Sequence, residues 1–239
     1  MMAYVMKSTV DQIRERFDKD VERFSNLDTA QVSTIDAPLV LELITKAAAA
    51  VTPKATDILD IGCGAGNYSL KMLQEIPCLN VTLIDLSQPM LEKAIQRLGS
   101  ATTGKVTTML GDIREVVLGE SRFDITLAAA VFHHLRTDEE WKQVFAKCYA
   151  ALKPGGSIWI SDLIEHSTSP VQALMWQRYG EYLAQLKDVQ YRDNVFAYIE
   201  EQDTPRPLLF QIDLLREVGF RSVEILHKNS CFAAFGGIK

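Results

Sequence analysis

The chain has 239 residues, 47% hydrophobic and 23% charged, which excludes a disordered chain, a collagen-like fibre and a small disulfide-stapled module. A net charge of −6, from 25 basic and 31 acidic residues, argues against a dedicated nucleic-acid or anionic-membrane binder. A chain this long buries a full core without metal or disulfide staples. Its four cysteines, Cys63, Cys78, Cys148 and Cys231, stand in no metal-ligand or redox spacing, so a reduced, cytoplasmic protein is expected. Met1–Val10 is followed by a charged run and does not read as a signal peptide. No stretch stays apolar for the ~20 residues that cross a bilayer.

In chain order, residues 1–54 read as an N-terminal helical segment, with helices over Val10–Phe24 and Pro38–Val51. From Ala55 onward, β-rich runs alternate with amphipathic helical stretches. The runs are Asp57–Ile61, Val81–Leu86, Lys105–Leu110, Phe123–Ala130 and Ser157–Leu163; the helices are Tyr68–Glu75, Pro89–Leu98 and Glu139–Leu152. The runs carry little polar alternation, as strands covered on both faces do. The alternation predicts a doubly wound α/β fold. Ser87 is placed to cap the helix at Pro89, and Pro154-Gly155-Gly156 to turn the chain from the helix ending at Leu152 into the fifth strand. Residues 164–206 are too long for an ordinary loop and rich in aromatics, which predicts a helical cap inserted after strand five. Pro207 opens a further helix closed by Gly219. Ser222–Leu226 and Cys231–Phe235, joined by His227–Ser230, form an antiparallel pair. The sheet domain is thus 55–163 with 207–239.

The informative motif is Asp60-Ile61-Gly62-Cys63-Gly64-Ala65-Gly66, after a strand and opening a helix. Glycines there let the backbone turn and approach a ligand closely, and the helix start offers free N–H groups. Asp85, ending the next strand, suits a ribose diol. The spacing is G-x-G-x-G, with Asn67 where a dinucleotide fingerprint has its third glycine. Asp60 would repel a pyrophosphate and attract an ammonium, which tilts the reading from NAD toward S-adenosylmethionine. The plainer alternatives are solvated carboxylates at Asp60 and Asp85 and a small filler at Cys63.

On these residues the chain resembles the class I S-adenosylmethionine-dependent methyltransferases of small-molecule type. Asp60–Gly66, Leu83–Ser87 and Leu110-Gly111-Asp112-Ile113 carry the likeness. The resemblance implies a Rossmann-like seven-stranded sheet of order 3-2-1-4-5-7-6 with strand seven antiparallel. It also implies a cofactor site. Asp60, Gly62, Cys63, Gly64 and Gly66 would hold the methionine part and Asp85 the ribose. Leu86 and Ile113 would lie on the adenine, Asp112 at its amino group unless it merely caps the turn after it, and Met90 in the adjoining helix. Ala128 and Ala129 would stand near the methionine, and S-adenosylhomocysteine would be the product.

Methyl transfer is an in-line displacement in which the protein positions the reactants and excludes water. Within Val131-Phe132-His133-His134-Leu135 one histidine is expected to face the cleft, with His133 the candidate base and a packing role the alternative. Phe24 is a candidate to lean on the sulfonium; Phe17 reads as packing. In the cap, Tyr191 and Arg192 are candidates to hold an acidic acceptor, with His134 at its mouth. No metal site is read: Asp162 is a lone acid without a matching partner. A small-molecule acceptor is expected, with no nucleic-acid or membrane partner and a homodimer as an allowed assembly. Three alternatives stay open. One is a carboxy-S-adenosylmethionine synthase-like enzyme, which the overall plan also resembles and which would use Arg192. The others are a tRNA-modifying enzyme on the same fold and a non-catalytic cofactor-binding protein.

Overall fold

The computed structural model describes residues 7–26 and 31–239. Helix α1 (Val10–Lys19) opens on a reciprocal cap: the Thr9 hydroxyl accepts from Gln12 N–H, and the Gln12 side chain accepts from Thr9 N–H. Asp20 (φ −110°, ψ 14°) interrupts the helix before α2 (Val21–Ser25), so the single helix expected over Val10–Phe24 is two. Asp is a poor interior helix residue, and here its carboxylate takes the Arg23 guanidinium at 2.7 Å. Helix α3 (Ala37–Val51) follows, with Ile44 and Ala48 fully buried.

The sheet is assembled from β1 (Asp57–Ile61), β2 (Asn80–Asp85), β3 (Val106–Leu110), β4 (Phe123–Ala129) and β5 (Leu152–Leu163), closed by β6 (Ser222–Asn229) and β7 (Phe232–Ile238). Its order is β3-β2-β1-β4-β5-β7-β6. The first five strands pair in parallel, and β7 runs antiparallel to both neighbours. Helices α4 (Asn67–Glu75), α5 (Gln88–Leu98), α6 (Asp138–Ala151) and α9 (Leu208–Val218) cover its faces. Ser87 caps α5 by accepting from Met90 N–H at 3.3 Å, and Gly219 closes α9 at φ 118°.

Several boundaries shift. Strand β5 begins at Leu152, so Lys153–Gly156 lies inside it rather than before it. Leu152 pairs with Phe123, and Gly155 N–H reaches the Lys239 carbonyl, so the edges of neighbouring strands hold this segment extended. The last two strands run longer than their apolar runs, and the turn between them shrinks to Ser230-Cys231, with Ser230 at φ 49°. Ala130 leaves β4 at φ 55°.

One core packs Phe132, Trp141, Phe145, Leu215 and Phe235 on one face of the sheet; another packs Ile44, Met72, Leu91 and Trp159 on the other. Residues 164–206 hold α7 (Ser169–Leu186) and α8 (Val189–Gln202). Tyr179, Leu183, Val195 and Ile199 of this pair bury against Leu163 and Phe232, so the cap is fixed to the ends of β5 and β7. Trp176 stacks on Phe196, and Tyr179 and Tyr182 donate to the carbonyls of Ser33 and Val32 at 2.9 and 2.7 Å. The helical spacing of Trp176, Tyr179 and Leu183 is therefore a packing stripe.

Candidate active site

At the carboxyl edge of β1, β2 and β4 two clefts of about 790 and 760 Å³ adjoin. Gly62, Asp85, Leu86, Val131 and His134 line both, so together they form one bent groove around Asp85.

The loop after β1 builds the first arm. Gly62 has φ 63°, and a Cβ there would stand 2.7 Å from Val131 Cγ2, so only glycine lets the two loops close. Gly64 has φ 51°, and the place its Cβ would take has nothing within 4 Å: it is a gap in the cleft wall that a ligand can fill. Gly66 starts α4, and its Cβ position meets Ala94 and Leu98 at 3.3 Å, so it serves helix packing and not the cleft. The Cys63 thiol turns to the Gly64 carbonyl at 3.4 Å, and burial pushes its pKa far up, which makes it a filler and not a nucleophile.

Two carboxylates flank this loop. Asp85 accepts from Gly64 N–H at 2.8 Å through one oxygen and from Ser87 N–H at 2.9 Å through the other. Each oxygen keeps a lone pair for a ligand hydroxyl. Asp60 is 2% exposed, and burial pushes its pKa up to about 7 against the opposing bond from the Ser69 hydroxyl at 2.6 Å. A buried carboxylate whose donors, the hydroxyl and amide of Ser69, are both neutral is poised for a cation. Leu86 and Met90 line the same arm. Ala129 and Ala130 line it too, whereas Ala128 is 1% exposed within the core, because successive strand residues face opposite sides.

The second arm holds Asp112 and Ile113. Asp112 accepts from Arg114 N–H and Nε, both at 2.9 Å. Burial alone would raise its carboxyl, but Arg114 holds it below the ordinary carboxylate range. The capping geometry is therefore present, with the side chain still at the cleft wall.

At the other end, the turn Phe132–His134 splits the adjacent histidines. His134 faces the groove and stands edge-on to Phe17, ring centres 6.1 Å apart. His133, the sequence candidate, turns inward: Nδ1 bonds Asp162, and Nε2 lies 3.6 Å from Asp203 Oδ1. Burial would lower its pKa, but Asp203 and Asp162 together hold it up to about 9. Burial and the neighbouring His133 lower His134. Asp162 is thus not a lone acid: it also accepts from Phe132 N–H at 2.9 Å and His133 N–H at 3.2 Å. The order β1-β4-β5 puts the ends of two neighbouring strands together, so this partner was readable from topology. Asp203, just past α8, gave no local signal.

The N-terminal helices roof the groove. Val10 and Ile13 lie over the second arm, Phe17 and Phe24 over the first, with those two rings 5.6 Å apart. Asp18 accepts from the Ser87 hydroxyl at 2.5 Å, Asn67 Nδ2 donates to the Phe24 carbonyl at 3.0 Å, and Lys93 pairs with Glu22 at 3.0 Å. Phe17 and Gln31 are lining residues that the sequence reading missed. Tyr191 and Arg192 line none of these clefts; Arg192 pairs with its neighbour Asp193 at 2.8 Å. The carboxylated-cofactor alternative thereby loses its proposed cation from the groove. Instead Arg16 and Arg23 border a side chamber of about 500 Å³, against Tyr198 and Phe24 at 3.9 and 4.2 Å.

Residues 58–156 match the methyltransferase domain family. The chain is 25% identical over 191 residues to the demethylmenaquinone methyltransferase of Listeria monocytogenes, covering 78% of this chain and 79% of that one. Among solved structures it resembles the Burkholderia thailandensis 1,6-didemethyltoxoflavin-N1-methyltransferase bound to S-adenosylhomocysteine. The TM-score is 0.64 at 17% identity, over 97% of this chain and 91% of that one. It also resembles human N-acetylserotonin methyltransferase in complex with S-adenosylmethionine, at TM-score 0.63 and 18% identity over 97% of this chain. The chain spans about six tenths of the length of several such structures, 59% for the human enzyme. Among the described residues no helix is long and apolar enough to cross a membrane.

Proposed function

Because this chain belongs to the class I S-adenosylmethionine-dependent methyltransferase family, we propose that it moves the methyl group of that cofactor to a small-molecule acceptor by in-line displacement. The observation that carries the cofactor assignment is the bent groove turning at Asp85, whose two oxygens are oriented by Gly64 and Ser87 with lone pairs to spare. A nucleoside flanked by an amino acid has that shape. When bound, the cofactor supplies a methyl group made electrophilic by a sulfonium, which leaves as a neutral thioether.

The chain's own residues do the rest. Asp85 accepts from the two ribose hydroxyls. Asp60 pairs with the ammonium end, the gap at Gly64 admits the backbone-like methionine portion, and Leu86 and Ile113 sandwich the base. Phe17 and Phe24 close over the first arm and keep water from it. The acceptor enters from the side chamber, whose walls Ala130, His134, Phe17 and Phe24 are shared with the first arm. Arg16 and Arg23 at that chamber favour an acceptor bearing negative charge. The helical roof that α1 and α2 form over the groove supports a small acceptor.

Two measurements test this. Titration calorimetry should show tight binding of S-adenosylmethionine and S-adenosylhomocysteine and none of NAD; the reverse preference overturns the cofactor assignment. Incubation of a cell extract with methyl-labelled cofactor should place label in the low-mass fraction, and label confined to RNA or protein overturns the acceptor class.

A further inference from the structure

We propose that His133, His134 and Asp203 bind one divalent transition-metal ion at the acceptor end of the groove. One ligand atom of each residue lies within 4.8 Å of the others, and all three side chains are largely buried. Asp203 Oδ1 stands 3.6 Å from His133 Nε2 and 3.2 Å from His134 Nδ1. Two atoms bound to one zinc-like ion at about 2.0–2.1 Å stand about 3.3 Å apart in a tetrahedron. The present separations need only small side-chain adjustments to match.

The second observation is that Asp203 Oδ1 is buried without an aligned hydrogen-bond donor, although two imidazoles adjoin it. A buried carboxylate oxygen without a donor is costly. Two ring nitrogens and this oxygen converge on one point, as ligands around an ion do, with His134 Nδ1 otherwise only 3.5 Å from the Gln202 carbonyl. The surroundings agree. Asp162 holds His133 by Nδ1, which leaves Nε2 free to ligate, the usual outer-shell device of a metal-bound imidazole. Asp162 and Asp203, both almost fully buried, supply the carboxylate charge that a divalent ion would meet there. Two histidines and one carboxylate leave coordination positions open. His133 and His134 both border the side chamber, so an open position there would take an oxygen of the acceptor and lower its pKa. That last step rests on the methyl-transfer reading; the ion site does not.

The test uses the full chain, stripped with a chelator, then dialysed against Zn²⁺, Fe²⁺, Mn²⁺ or Co²⁺ and desalted. Elemental analysis should find about one ion per chain, and the Co²⁺ form should show visible d–d bands of a nitrogen–oxygen site. Asp203→Asn should weaken ion binding at least 100-fold, and Asp162→Asn by about 10–100-fold, with a native-like circular-dichroism spectrum and a cooperative melt as the signs of a folded protein. Retention of no ion by the wild-type chain, with no cobalt spectrum, overturns the proposal even if a variant fails to fold. Undiminished binding in folded Asp203→Asn overturns it as well. Ion binding without cofactor binding would instead sink the methyl-transfer reading and leave the ion site standing.

Discussion

The two ends of the groove are built by different means. The proposed cofactor end is built mostly from residues 60–90, two strand ends, a tight glycine loop and two helix starts, held by bonds such as Gly64 N–H to Asp85, with Asp112 and Ile113 added just past β3. The proposed acceptor end gathers His134, Asp162, Asp203 and the adjacent pair Arg16 and Phe17 from four distant parts of the chain. Local backbone geometry prescribes the first, whereas tertiary packing assembles the second. Chemistry common to a fold can be written in a short motif, and chemistry particular to one chain lies in contacts between elements far apart in sequence.

That contrast is open to attack at its strongest point first. Asp85→Ala removes the carboxylate that orients two backbone donors and faces both arms. Calorimetry should show roughly a 100-fold or greater loss of S-adenosylhomocysteine affinity. A change of less than threefold would mean that the motif does not make the site.

Next comes the charge state of Asp60. Burial holds its pKa in the folded protein at about 7, above the ordinary carboxyl value of 3.8. The folded protein therefore holds a proton that the unfolded chain releases, and this contribution to stability is lost as pH rises from the ordinary carboxyl range through about 7. Pairing with an ammonium needs the ionised form, so cofactor affinity should fall by up to tenfold per pH unit below about 7, with a proton released on binding. Asp60→Asn should flatten the profile; an unchanged slope would place the ammonium elsewhere.

The smallest effect belongs to Arg192→Ala. The side chain pairs with its neighbour Asp193 and packs over Gly180. Stability should change by less than about 0.5 kcal/mol, and cofactor affinity and turnover should be preserved. A large loss of turnover would show that α8 reaches the acceptor after all.

The legible part of the molecule follows the same division. Strand order was implied by the family resemblance, and the bilaterally apolar runs Asp57–Ile61 and Phe123–Ala130 marked buried strands well. Boundaries failed where pairing overrode composition: β5 extends back through Pro154-Gly155-Gly156 because Phe123 and Lys239 hold it. Ala128 and Ala129 were indistinguishable by composition, and only the pleat direction separates them. The histidine pair was noticed, but which ring turned to the groove depended on Asp162 and Asp203. Tyr191 and Arg192 drew notice as polar residues in a cap; their helix instead turns its apolar residues, Val195 and Ile199, inward.

One fastening ties the two ends together. Ser8 donates through its amide and its hydroxyl to Glu201, both at 3.0 Å, and Arg16 donates to Gln202, the residue before Asp203. Arg136 spans Ser8 and Thr204 from the histidine side. The helix that roofs the groove and the stretch that carries Asp203 are therefore held by the same hydrogen bonds. Loss of the Ser8 or Arg16 contacts would slacken both at once, although neither residue belongs to the histidine cluster.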